Sequence, residues 1–242
     1  MLNIYKPTFL ISLLHPFNKK KRQELRHQNH LNIFHKFAPS AIQMFFHAVS
    51  LYSKPIKIWL EFGTLLGFYR EKQLIQHDID IDFGIDECDI NDDLIEHLKE
   101  YGFSLSRKFI IESNKKELNN FNAEYTFKYG KYVSIDLFVF KKFEDQKICY
   151  SFDREEGLEH KDTLIKYNNR LRTVQISLSH FDLIETKFFD TNVYIPNNIA
   201  SHLQEIYGHD FMTPRIYDYE NRIKDFEKIL DNKTLGRKLE FK

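Results

Sequence analysis

The sequence contains few cysteines, glycines and prolines. Its 242 residues include 2 Cys, 8 Gly and 6 Pro. Cys88 and Cys149 are far apart and have no metal-ligand spacing, so we expect ordinary buried thiols in a reducing compartment. No stretch rich in Gly, Pro or Ser divides the chain, and no internal repeat is visible. Composition therefore marks no boundary between domains.

The chain also lacks net charge. Its 35 Lys and Arg residues balance 35 Asp and Glu residues, so no bulk field attracts nucleic acid or an anionic membrane. Aromatic residues are abundant instead, with 23 Phe and 13 Tyr. This composition excludes compositional disorder and favours a packed α/β or α+β protein with a substantial core.

The N-terminal region has no long hydrophobic run. Residues 8–14 are apolar, but this segment is too short to span a bilayer, and no small-residue cleavage site follows it. A basic group comes next: Lys19, Lys20, Lys21, Arg22 and Arg26. It is either a solvated helix face or, with the apolar segment, a peripheral contact with the inner face of a membrane. We expect a cytoplasmic protein under both interpretations.

Hydrophobic periodicity predicts helices and strands in mixed order. The predicted helices cover residues 40–52, 65–70, 92–101, 199–207 and 219–230. The predicted strands cover residues 56–62, the segment around Asp80, and residues 103–112, 124–129, 131–140, 148–152, 173–177 and 193–195. This order predicts an α+β fold, a mixed sheet with helices packed against it.

Three aspartates alternate with apolar residues in the segment HDIDIDF. On a strand, Asp78, Asp80 and Asp82 would share one face, although aspartate is a poor strand former and like charges repel. A divalent cation would compensate for this cost, and carboxylate oxygens suit Mg²⁺ or Mn²⁺. The alternative is a solvent-facing edge strand kept acidic against aggregation.

A further aspartate lies within an apolar strand pattern. Asp136 in VSIDLF would supply the third carboxylate of a metal site from a neighbouring strand. A lone buried aspartate needs a partner, so the alternative for Asp136 is a salt-bridged core carboxylate.

A glycine turn precedes the acidic run. Gly63 and Thr64 open a predicted helix, where free backbone N–H groups and a hydroxyl can bind a phosphate. Arg70 could clamp a phosphate or pair with an acidic residue. His160, His180, His202 and His209 are expected to be structural.

Four segments resemble the LicD/fukutin family of nucleotidyltransferase-fold phosphotransferases. WLEFGTLLGFYRE (residues 59–71) is similar to the glycine-threonine-leucine-leucine-glycine element and its arginine, and LIQHDIDIDFGI (74–85) to the aspartate pattern. SIDLFVF (134–140) resembles the strand of the third metal carboxylate, and residues 193–214 resemble a later tyrosine-glycine segment. Gln76 and His77 replace an isoleucine-proline-tryptophan lead, a departure that spares the carboxylates.

The resemblance implies a nucleotidyltransferase-like domain over residues 39–214, flanked by a basic N-terminal segment (1–38) and a C-terminal helical extension (215–242). It implies transfer of a phospho-alditol or phosphocholine group from a CDP-activated donor to a glycan hydroxyl, in capsule, lipopolysaccharide or other glycoconjugate synthesis. Asp80 and Asp82 would hold Mg²⁺, with Asp136 as third ligand or as base, and Asp78 would lie behind them. Gly63 and Thr64 would hold a donor phosphate.

Two other functions compete with this one. A metal-dependent glycosyltransferase also holds a nucleotide-sugar through an Asp-x-Asp pair, but it normally needs a nucleotide-binding βαβ half before that pair. The other alternative is a non-catalytic glycan-binding module, for which retention of the acidic run is unexpected.

Overall fold

The computed structural model describes residues 19–214 and 226–241. The helices of these residues are α1 (Lys19–Ser50), α2 (Phe62–Glu71), α3 (Asp92–Glu100), α4 (His160–Lys166) and α5 (Ile199–Tyr207). The strands are β1 (Ile58–Leu60), β2 (Ile81–Asp86), β3 (Phe103–Ser113), β4 (Phe121–Tyr129), β5 (Val133–Phe143), β6 (Gln146–Asp153), β7 (Arg170–Ser179), β8 (Leu183–Phe188), β9 (Thr191–Pro196), β10 (Glu227–Ile229) and β11 (Thr234–Glu240). None of the described helices is long and apolar enough to cross a membrane.

The strands form one mixed sheet, which confirms the predicted α+β class. The pairs β1–β9 and β2–β5 are parallel, and the other pairs are antiparallel. Pairing runs from β3 through β4, β5, β6, β7 and β11 back to β3, so six strands close a ring. Strands β2, β1, β9 and β8 extend from β5 as an open wing, and β10 continues the edge of β7.

The main core lies between the wing and α1. Phe34, Ile42 and Phe45 of α1 are fully buried, and the Phe45 ring lies 5.1 Å from the ring of Phe83 on β2. The opposite face of the wing is covered by a second cluster around Trp59. There Gly84 is required, because a Cβ at this position would lie 2.3 Å from the indole of Trp59 on the paired strand.

The first helix is longer than predicted. The prediction began the helix at residue 40, after Pro39, whereas α1 begins at Lys19 and contains Pro39 in its interior. Proline removes one helical hydrogen bond, at a cost of about 3 kcal/mol. Leu31, Phe34 and Ala38 continue the buried stripe of the helix at spacings of three and four, and their burial offsets that cost.

The C-terminal region also differs from the prediction. A helix was expected over residues 219–230, but Glu227–Ile229 form β10, paired with β7. Residues 219–225 lie outside the described residues. Strand β11 was not predicted, although it closes the ring between β3 and β7. These segments are polar, and their strand conformation comes from backbone pairing with distant strands rather than from local propensity.

Most other elements confirm the sequence analysis, including α3, α5 and the successive strands β3 to β7. Cys149 is buried as expected, whereas the expectation was wrong for Cys88, which is exposed in the turn after β2. The apolar segment 8–14 lies outside the described residues, so peripheral membrane contact stays a prediction, as does the cytoplasmic location.

Candidate active site

Four adjacent strands each place one polar residue in a row across the sheet. Asp82 on β2 is paired with Asp136 on β5, Asp136 with Thr126 on β4, and Thr126 with Arg107 on β3. Residues paired in this way point to the same face of a sheet. The Thr126 hydroxyl donates to Oδ1 of Asp136, and Nε of Arg107 lies 2.7 Å from Oγ1 of Thr126. The row is therefore a connected polar network.

Asp80 joins this row at its acidic end. Asp80, Asp82 and Asp136 each offer a carboxylate oxygen, and the three oxygens lie within 4.8 Å of one another. Strand β2 begins at Ile81, so Asp80 lies directly before the strand rather than on it, and Asp78 lies in the preceding loop. The expected convergence of the three carboxylates is confirmed, and their role as metal ligands stays a prediction.

The first turn of α2, together with Glu61 directly before it, contacts Asp82 at three atoms. The N–H of Glu61 donates to the Asp82 carbonyl at 3.1 Å, and the N–H of Gly63 donates to Oδ2 of Asp82 at 3.0 Å. The N–H of Asp82 donates to Oγ1 of Thr64 at 2.8 Å. A Cβ at Gly63 would lie 2.9 Å from Oδ2 of Asp78 and 3.1 Å from Oδ2 of Asp82. Glycine is therefore needed here so that two carboxylates can approach the backbone.

Arg107 is the cationic partner of the acidic residues on β4 and β5. One of its terminal nitrogens lies 3.3 Å from Oδ2 of Asp136 and 3.3 Å from Oε1 of Glu124. Glu124 and Asp136 are both buried. Both oxygens of Asp136 thus accept hydrogen bonds, which fixes the orientation of its carboxylate.

Burial and neighbouring negative charges raise the pKa values of Asp80, Asp82 and Glu124. Burial raises the pKa of Asp80 to about 6, and the charges of Asp136 and Asp78 add to this shift. Burial, followed by Asp80 and Asp136, raises the pKa of Asp82 well above its usual range. Burial and Asp136 raise the pKa of Glu124 to about 8, although Arg107 opposes the shift.

The structure places the other predicted site residues as follows. Thr64 is buried and faces Asp82, and the N–H of Gly63 is used by the Asp82 carboxylate, so phosphate binding by this turn stays a prediction. Arg70 lies near the far end of α2, where it donates to the carbonyls of Phe211 and Thr213. It thus fixes the segment after α5, and its phosphate role also stays a prediction.

Sequence reasoning missed several polar residues of this region. Glu124 and Thr126 alternate with buried Tyr125 and Phe127, and this period of two on a predicted strand was a usable signal. Arg107 gave a weaker signal, because the β3–β4 pairing shifts register beside it. A second buried pair has no local sequence signature: Glu61, directly after β1, is hydrogen-bonded to His202 on α5.

The donor set fits a hard divalent cation. Three carboxylates on one face, beside a buried backbone turn, offer the oxygen ligands that Mg²⁺ and Mn²⁺ prefer. A cation here would also remove the mutual repulsion that raises these pKa values.

Comparison with known proteins identifies the class of protein to which this fold and site belong. The family model for the LicD/FKTN/FKRP nucleotidyltransferase domain matches residues 55–198, which span β1 to β9 and include all three clustered aspartates. The chain belongs to this family.

Individual relatives carry a more specific name. The ribitol-5-phosphate transferase FKTN of Mus musculus is 25% identical over 190 residues, which are 78% of this chain and 36% of the relative. The protein of the same name from Homo sapiens is 26% identical over 181 residues, 75% of this chain and 34% of the relative. The chain thus spans about a third of the length of these curated relatives. Both are named as transferases.

Proposed function

We propose that this protein is a metal-dependent phosphotransferase that moves a phospho-alditol or phosphocholine group from a CDP-activated donor to a glycan hydroxyl. The acceptor would belong to a cell-surface polysaccharide or another glycoconjugate. The observation that carries the proposal is the cluster of Asp80, Asp82 and Asp136, within 4.8 Å, in a member of this family. Because the relatives are named ribitol-5-phosphate transferases, phosphoribitol is the first group to test.

In this proposal the three clustered aspartates hold Mg²⁺ or Mn²⁺. The bound cation supplies neutralisation of the donor's diphosphate charge. Asp136 was expected to be either a ligand or the base for the acceptor hydroxyl. The hydrogen bonds from Thr126 and Arg107 to its two oxygens favour the ligand role, because they fix the orientation of the carboxylate.

The acceptor hydroxyl oxygen would form a bond to the donor phosphorus next to the alditol, and the bond from that phosphorus to CMP would break. Positioning and electrostatics would supply most of the rate enhancement. We also propose that the wing of the sheet, with α2 and the part of α1 from residue 39 onwards, is a nucleotidyltransferase-like unit within residues 39–214. Gly63, Thr64 and Arg70 remain our candidates for contact with a donor phosphate, and Asp78 for support of Asp80 and Asp82.

Thermal melting with a panel of nucleotides tests the proposal. CDP-ribitol, CDP-choline, CDP-glycerol and UDP-sugars are each added with and without Mg²⁺. We expect a CDP compound to raise Tm only when Mg²⁺ is present, and to release CMP when a glycan acceptor is added. Stabilisation by UDP-sugars alone would favour the glycosyltransferase, and stabilisation by a glycan without any nucleotide effect would favour the binding module.

The control is Asp82→Asn. It removes one charge from the cluster but keeps an oxygen that can accept the hydrogen bond of Gly63. This variant should fold and should lose both the Mg²⁺-dependent response and CMP release. Full CMP release by the variant would contradict the metal role of the cluster.

A further inference from the structure

Two fully buried polar side chains, Glu61 and His202, lie next to the backbone that contacts Asp82. Glu61 and His202 are buried to within 1% of full exclusion from solvent, and Nε2 of His202 donates to Oε1 of Glu61 at 2.7 Å. Nε1 of Trp59 donates to Oε2 of Glu61, also at 2.7 Å. Nδ1 of His202 is buried and has no hydrogen-bond partner among the described residues. Burying polar groups of this kind costs free energy, so stability alone does not explain their presence.

The Glu61 carboxylate accepts a hydrogen bond from a residue with an unusual backbone conformation. Phe62 has a φ of 42°, in the left-handed region that a bulky residue rarely adopts. The N–H of Phe62 donates to Oε1 of Glu61 at 3.3 Å, and its ring packs edge-to-face on Phe138 with centroids 4.7 Å apart. Strained backbone of this type persists when the surrounding contacts over-determine it.

The turn at Phe62 is what positions Asp82. The two residues after Phe62 contact the acidic strand: the N–H of Gly63 donates to the Asp82 carboxylate, and the hydroxyl oxygen of Thr64 accepts from the Asp82 N–H. The backbone of Glu61 itself donates to the Asp82 carbonyl. A continuous path of contacts therefore leads from His202 on α5, through Glu61, to Asp82.

We propose that Glu61, held by His202 and Trp59, is a positioning residue that fixes the turn at Phe62 and thereby the orientation of Asp82 towards Asp80 and Asp136. This inference rests on the metal site of the proposed function. Helix α5 is thus coupled to the site although it contributes no residue to the acidic cluster. Residues that orient metal ligands typically change metal affinity by about 10–100-fold when they are replaced.

The test measures Mn²⁺ affinity by titration calorimetry on the full chain, well below the melting temperature of each variant. In Glu61→Gln, a single side-chain oxygen must accept from both Nε1 of Trp59 and Nε2 of His202. His202→Leu removes the second of these donors. We expect each variant to weaken Mn²⁺ binding by about tenfold. His202→Gln keeps an N–H donor and should restore part of the affinity. This rescue separates positioning from a simple packing role, which would not distinguish Gln from Leu in this way.

Asp86→Asn is the matched control. Asp86 lies at the other end of β2, and its Oδ1 lies 2.7 Å from Nζ of the buried Lys147. Its replacement also removes a carboxylate of β2 from a partly buried ion pair, so it should lower Tm and leave the Mn²⁺ affinity unchanged. Unchanged Mn²⁺ affinity in folded Glu61→Gln or His202→Leu would overturn the inference. If Glu61→Gln does not fold, the comparison of His202→Gln with His202→Leu decides the matter.

A second readout needs no metal. Amide hydrogen exchange at Gly63 and Asp82 should accelerate in Glu61→Gln and His202→Leu relative to Asp86→Asn. The N–H of Gly63 donates to the Asp82 carboxylate and the N–H of Asp82 donates to the Thr64 hydroxyl oxygen, and both hydrogen bonds should loosen. If the wild-type protein binds no Mn²⁺, the proposed function fails. The exchange rates then decide this inference alone: unchanged rates would overturn the positioning role of Glu61.

Discussion

Replacing Asp80 by asparagine should stabilise the metal-free protein and strongly weaken its response to Mg²⁺. The substitution keeps the shape of the side chain and removes one of three charges whose oxygens lie within 4.8 Å. At that separation two unit charges repel by about 1 kcal/mol in water and by about 3.5 kcal/mol at an effective dielectric constant of about 20. Asp80→Asn removes this repulsion and also the free-energy cost of burying the Asp80 charge.

The pKa of Asp80 gives a second measure of the same cost. Burial, with Asp136 and Asp78, raises its pKa from 3.8 to about 6. Because the folded-state pKa is the higher one, stability is fully present below pH 3.8 and is lost as the pH rises through about 6. The difference of about two pKa units corresponds to an upper limit of about 3 kcal/mol. The advantage of Asp80→Asn should therefore be small near pH 4 and largest above pH 7.

Thermal melting at several pH values, with and without Mg²⁺, provides the assay. One kcal/mol shifts Tm by about 2–4 °C in a chain of this size. At a concentration 100 times its Kd, Mg²⁺ should stabilise the wild-type protein by about 2.7 kcal/mol and Asp80→Asn by much less. Asp80→Asn should therefore melt higher than the wild type without Mg²⁺, and this difference in Tm should shrink or disappear when Mg²⁺ is added.

Asp93→Asn is the control for charge removal. Asp93 is exposed in the first turn of α3, where its Oδ2 lies 3.8 Å from Nζ of Lys54, and it is not part of the cluster. Its replacement should cost at most about 1 kcal/mol of stability at pH 8 and should leave the Mg²⁺ response unchanged. Equal Mg²⁺-dependent shifts in wild type and Asp80→Asn, with turnover retained in the variant, would refute the metal site.

Three further substitutions test the surroundings of the cluster. Gly63→Ala should weaken Mn²⁺ binding measured by calorimetry, because the new Cβ would lie 3.1 Å from Oδ2 of Asp82; wild-type affinity would contradict this role. Thr64→Val keeps the side-chain volume but leaves the N–H of Asp82 without its acceptor, so the free energy of unfolding measured with denaturant should fall by about 1–3 kcal/mol. An unchanged free energy of unfolding would argue against that hydrogen bond. Arg107→Met removes the cation that opposes the raised pKa of Glu124, so its Tm deficit should be larger at pH 9 than at pH 5, and a deficit independent of pH would count against the electrostatic role.

Local patterns predicted the parts of the fold that depend on nearby residues. Segments rich in β-branched and aromatic residues located β3 to β7, and the acidic start and apolar spacing located α3. The period-two spacing of Asp80 and Asp82, together with the lone Asp136 in an apolar strand pattern, indicated that these three residues share one site. The analysis failed where distant contacts outweigh local preference. Pro39 remains inside α1 because the buried stripe continues through it, and β11 exists because β3 and β7 both pair with it.

By itself, the sequence determined the alternation of acidic and apolar residues, the glycine turn that precedes the acidic run, and the amount of apolar surface available for a core. Those properties depend on residue type and spacing, which the chain carries without folding. Only the tertiary structure decided which residues surround the acidic cluster. Arg107 reaches Asp136 across β4, and His202 reaches Glu61 from a helix 141 positions further along the chain. Such pairs depend on strand register and helix packing, which arise from the sum of many weak contacts over the whole chain and leave no local mark on the sequence.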